Sequence, residues 1–443
     1  MSKIKNINKP ARKTKQRQRR QRLLRVVTNS ERGSFGCQRR WDFAYQAGLT
    51  SSMTPAPLKQ GTLVHQCLGV WYESGCTLSH AEIVRDMVGP WLEGRLAWAE
   101  TAFEDSEFAD SKRAELIAED HAIVDQSTVM LEGYINKWSE VDSKFLEVIA
   151  VEPQMARWLI HPVTGKTIED RPIIKGERRR RRWSFGGGVD VLVRDKRDGQ
   201  VWAMEHKTTS DKDLNQYLRK LHFDPQTRGY AWALADPIPG VSGVEPVQVA
   251  GVIYNALRKK VPAIPHLLKN KKGLSKASNI DTTRDVYLKA IIDNGFDPDD
   301  YVEILDKISR NQFFAREAYA FSAHEIADFE QDMTHAALQI CEASKPGTYH
   351  PRQVSACMGV AAYPCRYRSI CLEDGNMARA SFRVKGIRHE ELSGELAEPY
   401  AAQERGLELS DLDPQKQIPT KTQARASDQP ASDPDDPFAV LNA

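Results

Sequence analysis

The chain has 443 residues, of which 62 are Lys or Arg, 60 are Asp or Glu, 41% are hydrophobic and 8% aromatic. That is enough for one large domain or two or three modest ones with a filled core, and no run of about 18 apolar residues is present to suggest a membrane-spanning helix. The net charge of +2 conceals an asymmetry: eleven Lys or Arg residues and no acid lie between Lys3 and Arg25, whereas the far end reads SDQPASDPDDPF.

Residues 1–28 are expected to form a basic disordered arm that touches nucleic acid, with a merely solubilising arm as the plain alternative. The arm lacks the apolar stretch and cleavage site of a secretory signal. Seven cysteines, an odd number in a long chain, fit a reducing cytoplasm better than a disulfide framework. Residues 61–73 carry Leu63, Val64, Cys67, Leu68 and Trp71 at helical spacing. A mostly helical insertion is expected over about 75–140, and FLEVIAVEP at 145–153 reads as a strand. The segment 186–210 reads as two short strands joined by the turn KRDGQ. A helix at 224–235, a strand at 249–257, a Lys- and Ser-rich loop at 260–285 and helices at 284–307 and 322–343 follow, with the strand-like NQFFAREAYAF between those helices. Residues 376–443 are expected to be a largely disordered acidic tail. This order predicts an α/β fold with a central mixed sheet flanked by helices, its main domain spanning 29–375.

The hairpin GGGVDVLVRDKRDGQVWAMEHKTTS places three charges on strands that otherwise look buried. Residues i and i+2 share a strand face, so Glu205 and Lys207 point together, and Asp190 lies on the preceding strand. Burying them without partners costs several kcal/mol. A divalent cation between the two carboxylates removes that cost, and hard oxygen ligands suit Mg²⁺ or Mn²⁺. A salt-bridged cluster on a solvated face is the alternative for the isolated pattern. Gln226 and Tyr230, four apart, share one face of the following helix.

Gly187-x-x-Asp190 followed by Glu205-x-Lys207 resembles the PD-(D/E)xK nuclease superfamily. Gly61-TLV-His65 ahead of it, Glu152 on the strand before the hairpin and Gln226-TRG-Tyr230 after it resemble the RecB-type branch, over roughly residues 33–372. Val189 stands where the strict motif has Pro. The resemblance implies a restriction-endonuclease-like fold and a DNA nuclease. His65, Asp190 and Glu205 would hold Mg²⁺ or Mn²⁺, with His206 contributing its backbone carbonyl. Lys207 would orient or deprotonate water, or neutralise developing charge. Gln226 and Tyr230 would steady Lys207 or bind the DNA backbone, and Glu152 would act beside the metal or at a second one. Cys37 upstream and Cys357, Cys365 and Cys371 downstream look like the iron–sulfur-stapled members of this branch, AddB-type recombination nucleases and CRISPR-adaptation exonucleases. Four thiolates can hold a [4Fe–4S] cluster that joins the two ends of the fold. Zinc is the alternative, although paired C-x₂₋₄-C knuckles are missing, and unconnected thiols are another. Cys341 reads as part of a buried helix and Cys67 as core.

Arg178, Arg179, Arg180, Arg181 and Arg182 precede Trp183 and suggest a phosphate track, extended by Arg258, Lys259, Lys260, Lys269, Lys271 and Lys272; a solvated hairpin tip is the alternative. No ATP motor is expected, because TGKT at 164–167 has Ile160 where a phosphate loop needs Gly. The expected activity is an exonuclease on single-stranded DNA ends, by analogy a phage or mobile-element replication and recombination protein in the bacterial cytoplasm, working beside a helicase, recombinase or single-strand-binding protein. An endonuclease with the same site and a non-catalytic DNA-binding or recruitment protein are the rival readings.

Overall fold

The computed structural model describes residues 23–101, 109–174, 177–269, 272–277, 279–357, 365–373 and 381–397. The elements that shape the site are the strands β1 (Leu23–Val27), β2 (Leu146–Val151), β3 (Gln154–Trp158), β4 (Arg181–Gly188), β5 (Val191–Asp195), β6 (Val201–Thr209), β7 (Gly251–Arg258) and β8 (Phe314–Ala320). The helices are α1 (Asn29–Phe35), α2 (Ala56–Glu73), α3 (Ala109–Phe145), α4 (Leu214–Leu221), α5 (Pro225–Ala235) and α6 (Ala323–Ala343).

A five-stranded mixed sheet has the order β8-β7-β6-β5-β2, antiparallel except for the β6/β7 pair. Period-two alternation sends Val191, Val193 and Met204 to one face, where α2 and α3 cover them with Leu63, Val64, Leu68, Trp71, Leu131 and Tyr134. Leu192 and Ala203 face the other way, against Tyr230 and Ala233 of α5 and Phe329 and Met333 of α6. Full burial of each large apolar side chain contributes roughly 1.5–3 kcal/mol. This is the mixed α/β architecture, helices on both faces, that a restriction-endonuclease-like domain requires.

A second sheet, β1-β4-β3, continues from the first. Two chain paths cross from sheet to sheet side by side: β2 into β3 through Glu152–Pro153, and β4 into β5 through Val189–Asp190. The ladder persists through the bend, where the Glu152 N–H donates to the Asp190 carbonyl at 2.8 Å and the Val189 N–H to the Pro153 carbonyl at 3.2 Å. Glu152 takes a φ of +48° to make the corner, a conformation uncommon outside glycine. Asp190 thus stands at the junction of two sheets.

The arm and the tail both contribute to this architecture. Leu23–Val27, grouped with the basic arm on charge, pairs parallel with β4, and Val26 and Val27 are fully buried. The apolar LLRVV was masked by the charge run before it; residues 1–22 lie outside the described residues. Past residue 376, Phe382–Val384 pairs antiparallel with Leu49–Ser51, and Leu392 and Leu396 pack on Val26; residues 398–443 lie outside the described residues. A buried ionic cluster joins the two ends. Glu31 of α1 pairs with Arg25, accepts from Trp41 Nε1 at 2.9 Å and lies 3.2 Å from His389 Nε2. Burial lowers the His389 pKa, but Glu31 and Glu391 outweigh it and leave it raised above 6.5. The folded state therefore holds this proton more tightly than the unfolded chain. Its stabilisation is complete below the unfolded value of about 6.5 and is lost as pH climbs through the folded one. Urea titrations from pH 6 upward should show a stability decline in the wild type that His389→Gln lacks.

Candidate active site

Glu205 and Lys207 project from β6 toward α5, as their spacing predicts. The Lys207 ammonium donates to Glu205 Oε1 at 2.7 Å and to Gln226 Oε1 at 2.9 Å. Gln226 Nε2 in turn donates to the Tyr230 hydroxyl at 2.5 Å, one helical turn along α5. Asp224 caps α5, accepting from the Gln226 N–H at 2.9 Å, which sets where that side chain leaves the helix. Gly187 explains why Tyr230 can sit here: a Cβ at Gly187 would stand 2.7 Å from Tyr230 Cε1. Burial lowers the lysine pKa, but Glu205's charge outweighs it and keeps Lys207 protonated. Burial together with the charge of Asp190 pushes Glu205 up to about 7. Its Oε2 is buried and has no hydrogen-bond partner among the described residues.

Asp190, at the bend, faces the helices on the opposite side. Its Oδ2 accepts the His206 N–H at 2.7 Å and lies 3.4 Å from both His65 Nδ1 and His206 Nδ1. Burial raises its pKa, yet these two imidazoles outweigh it and hold the carboxyl well below the usual range. His65 is placed by α2, whose approach to the end of β6 depends on Gly61: a Cβ there would meet Thr208 Oγ1 at 3.3 Å. The His206 side chain points away from Glu205 and Lys207, as expected. It is not idle, because Tyr134 Oη lies 3.3 Å from its Nε2. Tyr134 leads into a buried network in which Tyr72 Oη, 2.8 Å away, donates to Asp142 and Arg316 clamps the same carboxylate. Glu152 reaches Asp190 through the backbone, while its carboxylate lies over α2 near Gly69, one turn beyond His65.

The structure therefore brings His65, Asp190, Glu205, His206, Lys207, Gln226 and Tyr230 to one end of the main sheet, with Glu152 at the rim. A family model of the PD-(D/E)XK nuclease superfamily matches residues 35–372, well over half of the sequence, and spans every one of these residues. The chain belongs to the PD-(D/E)XK nuclease superfamily. No curated protein sequence matches it.

Nucleases of this superfamily generally use Mg²⁺ or Mn²⁺. Among the described residues no three His, Cys, Asp or Glu side chains stand together as a preformed ligand set. One Glu205 oxygen is taken by Lys207, and Asp190 leans on its histidines. The chemistry of the residues still fits a hard cation. Glu205 Oε2 is a buried acceptor without a donor, and its carboxylate is close enough to Asp190 for their charges to interact.

The basic run falls in a different place from the one its position in the chain suggests. Arg181 donates to both oxygens of Asp170, at 3.0 and 2.6 Å, and Arg180 and Arg182 both engage Glu169. Glu169–Asp170 is a short strand on the edge of β4, so these three arginines complete a sheet edge. Nine residues of extended chain, about 30 Å, separate Arg181 from Asp190. Arg178 and Arg179 precede this edge on the surface. Trp183 and Tyr230 are core residues. Lys259 and Lys260 lie closer to the site, just beyond β7, with Lys259 Nζ donating to the Pro57 carbonyl at the start of α2. Arg258 is clamped by Asp281 at 2.7 and 2.6 Å. Lys269 and Lys272 sit in the following loop, and Lys271 lies outside the described residues.

Cys37, Cys365 and Cys371 lie close enough to Cys357 for their charges to reach it, though not as a preformed ligand set among the described residues. Burial raises the Cys357 pKa, and the charges of the other three thiols raise it further. Loop 350–353 is tied to α1's neighbour by Arg39 N–H to the Pro351 carbonyl at 3.1 Å and by Gln353 N–H to Cys37 Sγ at 3.4 Å. Cys67 and Cys76 belong to the core beneath α2, and Cys341 lies on α6 near Asp170 and Arg181.

Two site features escaped the sequence. Tyr217, on α4, lies close enough to Lys207 and Glu205 for its phenol to feel both charges, while burial raises its pKa. The Leu214, Leu218, Leu221 spacing was the available signal for that helix. The Tyr134–His206 contact joins residues 72 positions apart and left no local pattern. Gly187→Ala should force Tyr230 off Gln226. We expect a loss of about 1–3 kcal/mol in urea unfolding together with weakened cleavage, and no such loss for Gly199→Asn in the exposed turn.

Proposed function

We propose that the chain is a metal-dependent exonuclease that degrades single-stranded DNA from free ends, using His65, Asp190 and Glu205 as metal ligands and Lys207 as the catalytic cation. The observation that carries the metal site is the buried, donorless Oε2 of Glu205 beside Asp190. A bound divalent ion supplies polarisation of the scissile phosphate and charge stabilisation at the leaving oxygen. His206, whose N–H is bonded to Asp190, fixes that carboxylate, and its carbonyl is the further ligand the resemblance implies. Glu152 supports the same corner through the backbone.

Lys207 is gripped by Glu205 and Gln226, and Tyr230 grips Gln226. Without a metal, Lys207 is held in its protonated form by Glu205. Its part is to orient the attacking water and to neutralise charge that develops on the phosphate oxygens. Preference for single-stranded ends, action beside a helicase, recombinase or single-strand-binding protein, and a phage or mobile-element setting in a bacterial cytoplasm rest on likeness to the RecB-type branch.

The four converging thiols support a [4Fe–4S] cluster, whose donor set of Cys37, Cys357, Cys365 and Cys371 would join residues near the two ends of the matched segment. Anaerobically purified protein should be brown. Cys365→Ser should remove the visible absorption and the four equivalents of iron, and should lower the melting temperature. A colourless protein with one equivalent of zinc would overturn the iron–sulfur reading.

The deciding assay offers end-labelled linear single strands, linear duplexes and a covalently closed single-stranded circle with Mn²⁺ or Mg²⁺. Linear strands should be degraded, the circle spared, and Lys207→Ala should lower the rate by about 10²–10⁴. Cleavage of the circle would convert the reading to an endonuclease. Binding of every substrate without metal-dependent cleavage of any would leave a recruitment protein.

A further inference from the structure

The mouth of the site is framed by α4 and the turns at its two ends. Its middle residue Tyr217 lies beside Lys207 and Glu205. At one end stands Phe223, 86% exposed in the turn that leads into α5. Single exposed apolar residues need no explanation in themselves. This one sits three residues before Gln226, the direct partner of Lys207, so the two Cα atoms are within about 11 Å of each other. The turn has no packing use for an aromatic ring. His222 beside it is already stacked on Tyr319 at 4.3 Å, and Asp224 already caps α5.

At the other end of α4 a polar cavity of about 220 Å³ is lined by Lys212, Asp213, Asn215, Arg258, Arg310 and Gln312. Asp213 is committed to capping α4, Arg258 to Asp281, Asn215 and Gln312 bond each other at 3.2 Å, and Asn311, also in the lining, donates to the Ile280 and Thr282 carbonyls. Lys212 and Arg310 are exposed and make no ion pair among the described residues. Arg258 pairs with Thr209, two residues beyond Lys207 on the same sheet face, so the Cα of this cavity-lining arginine lies within about 8 Å of the Cα of Lys207. An eight-residue helix of about 12 Å thus separates a pair of exposed cations from a bare aromatic ring, and its middle residue Tyr217 lies close enough to Lys207 and Glu205 to feel their charges. Cations that track phosphates and a ring that accepts a base face are the two elements of single-strand recognition.

We propose that α4 guides one DNA strand past Lys207, with its phosphodiester backbone held by Lys212 and Arg310 and one unpaired base stacked on Phe223. The proposal rests on the nuclease reading above and sharpens it: the substrate must offer an unstacked base beside the scissile phosphate.

Binding of a labelled single strand to the full chain, followed by fluorescence anisotropy with Ca²⁺ in place of the catalytic metal, separates recognition from cleavage. Phe223→Ala should weaken binding about tenfold and Phe223→Trp should restore it. Moving a single abasic nucleotide along the strand should reveal one position that costs the wild type a similar factor and costs Phe223→Ala nothing more. Lys212→Ala with Arg310→Ala should flatten the dependence of log K on log salt by about 1.4, roughly 0.7 for each lost phosphate contact, whereas Lys112→Ala with Lys144→Ala should leave the slope unchanged. Equal binding by Phe223→Ala and wild type at every abasic position would overturn the stacking assignment, and an unchanged slope would overturn the backbone assignment. Failure of the wild type to cut any substrate with Mn²⁺ or Mg²⁺ would instead overturn the nuclease reading, and the binding results would still decide for or against the guide.

Discussion

Everything in this molecule is arranged around one electrostatic conflict: two carboxylates and an ammonium confined at the corner of a sheet. Burial alone drives Glu205 toward neutrality, and the nearby Asp190 charge drives it further. The protein meets the conflict unequally. Asp190 receives two imidazoles and a backbone N–H. Glu205 receives only Lys207, and one of its oxygens is left without a donor. An unpaired buried acceptor of that kind costs about 1–3 kcal/mol. Natural folds retain such a group where another partner is to arrive, and a divalent cation is the partner this donor chemistry suits.

The corner itself comes from the two paired paths that pass from one sheet to the other. Because β2–β3 and β4–β5 bend together, the ladder hydrogen bonds survive, and only Glu152 adopts an unusual backbone. Two glycines then let helices close on the corner: Gly61 lets α2 bring in His65, and Gly187 lets Tyr230 lie flat on β4. The supporting shell reaches further through His206 into Tyr134, Tyr72, Asp142 and Arg316, so that the long helix α3 braces a carboxylate it never touches.

What was legible in the sequence was local. Glu205 and Lys207 two apart on a strand, and Gln226 and Tyr230 four apart on a helix, are spacings in which geometry and chemistry coincide, and the structure places them together. Elements that depend on distant partners were not legible. β1 was hidden because its apolar residues follow a run of Arg and Lys, and nothing near them announces that β4 lies alongside. The arginine run misled for the complementary reason: a cation's role depends on its partner, and Glu169 and Asp170 become neighbours only through antiparallel pairing. The crossing at Asp190 likewise required two strands, each unremarkable, to bend at the same rung.

The ionic cluster of Arg25, Glu31 and His389 carries a consequence for how the protein comes into being. The first described strand is buried partly by the last described segment: Val26 packs with Leu392 and Leu396, and Glu31 awaits His389. A nascent chain can build the catalytic corner once β7 has been made, yet the cover of β1 stays incomplete until nearly four hundred residues exist. Synthesis of residues 389–396 is therefore itself a structural event, in which segments far apart in sequence seal each other. A chain cut short before His389 would leave β1 without part of its cover and Glu31 buried with only half its counter-charge.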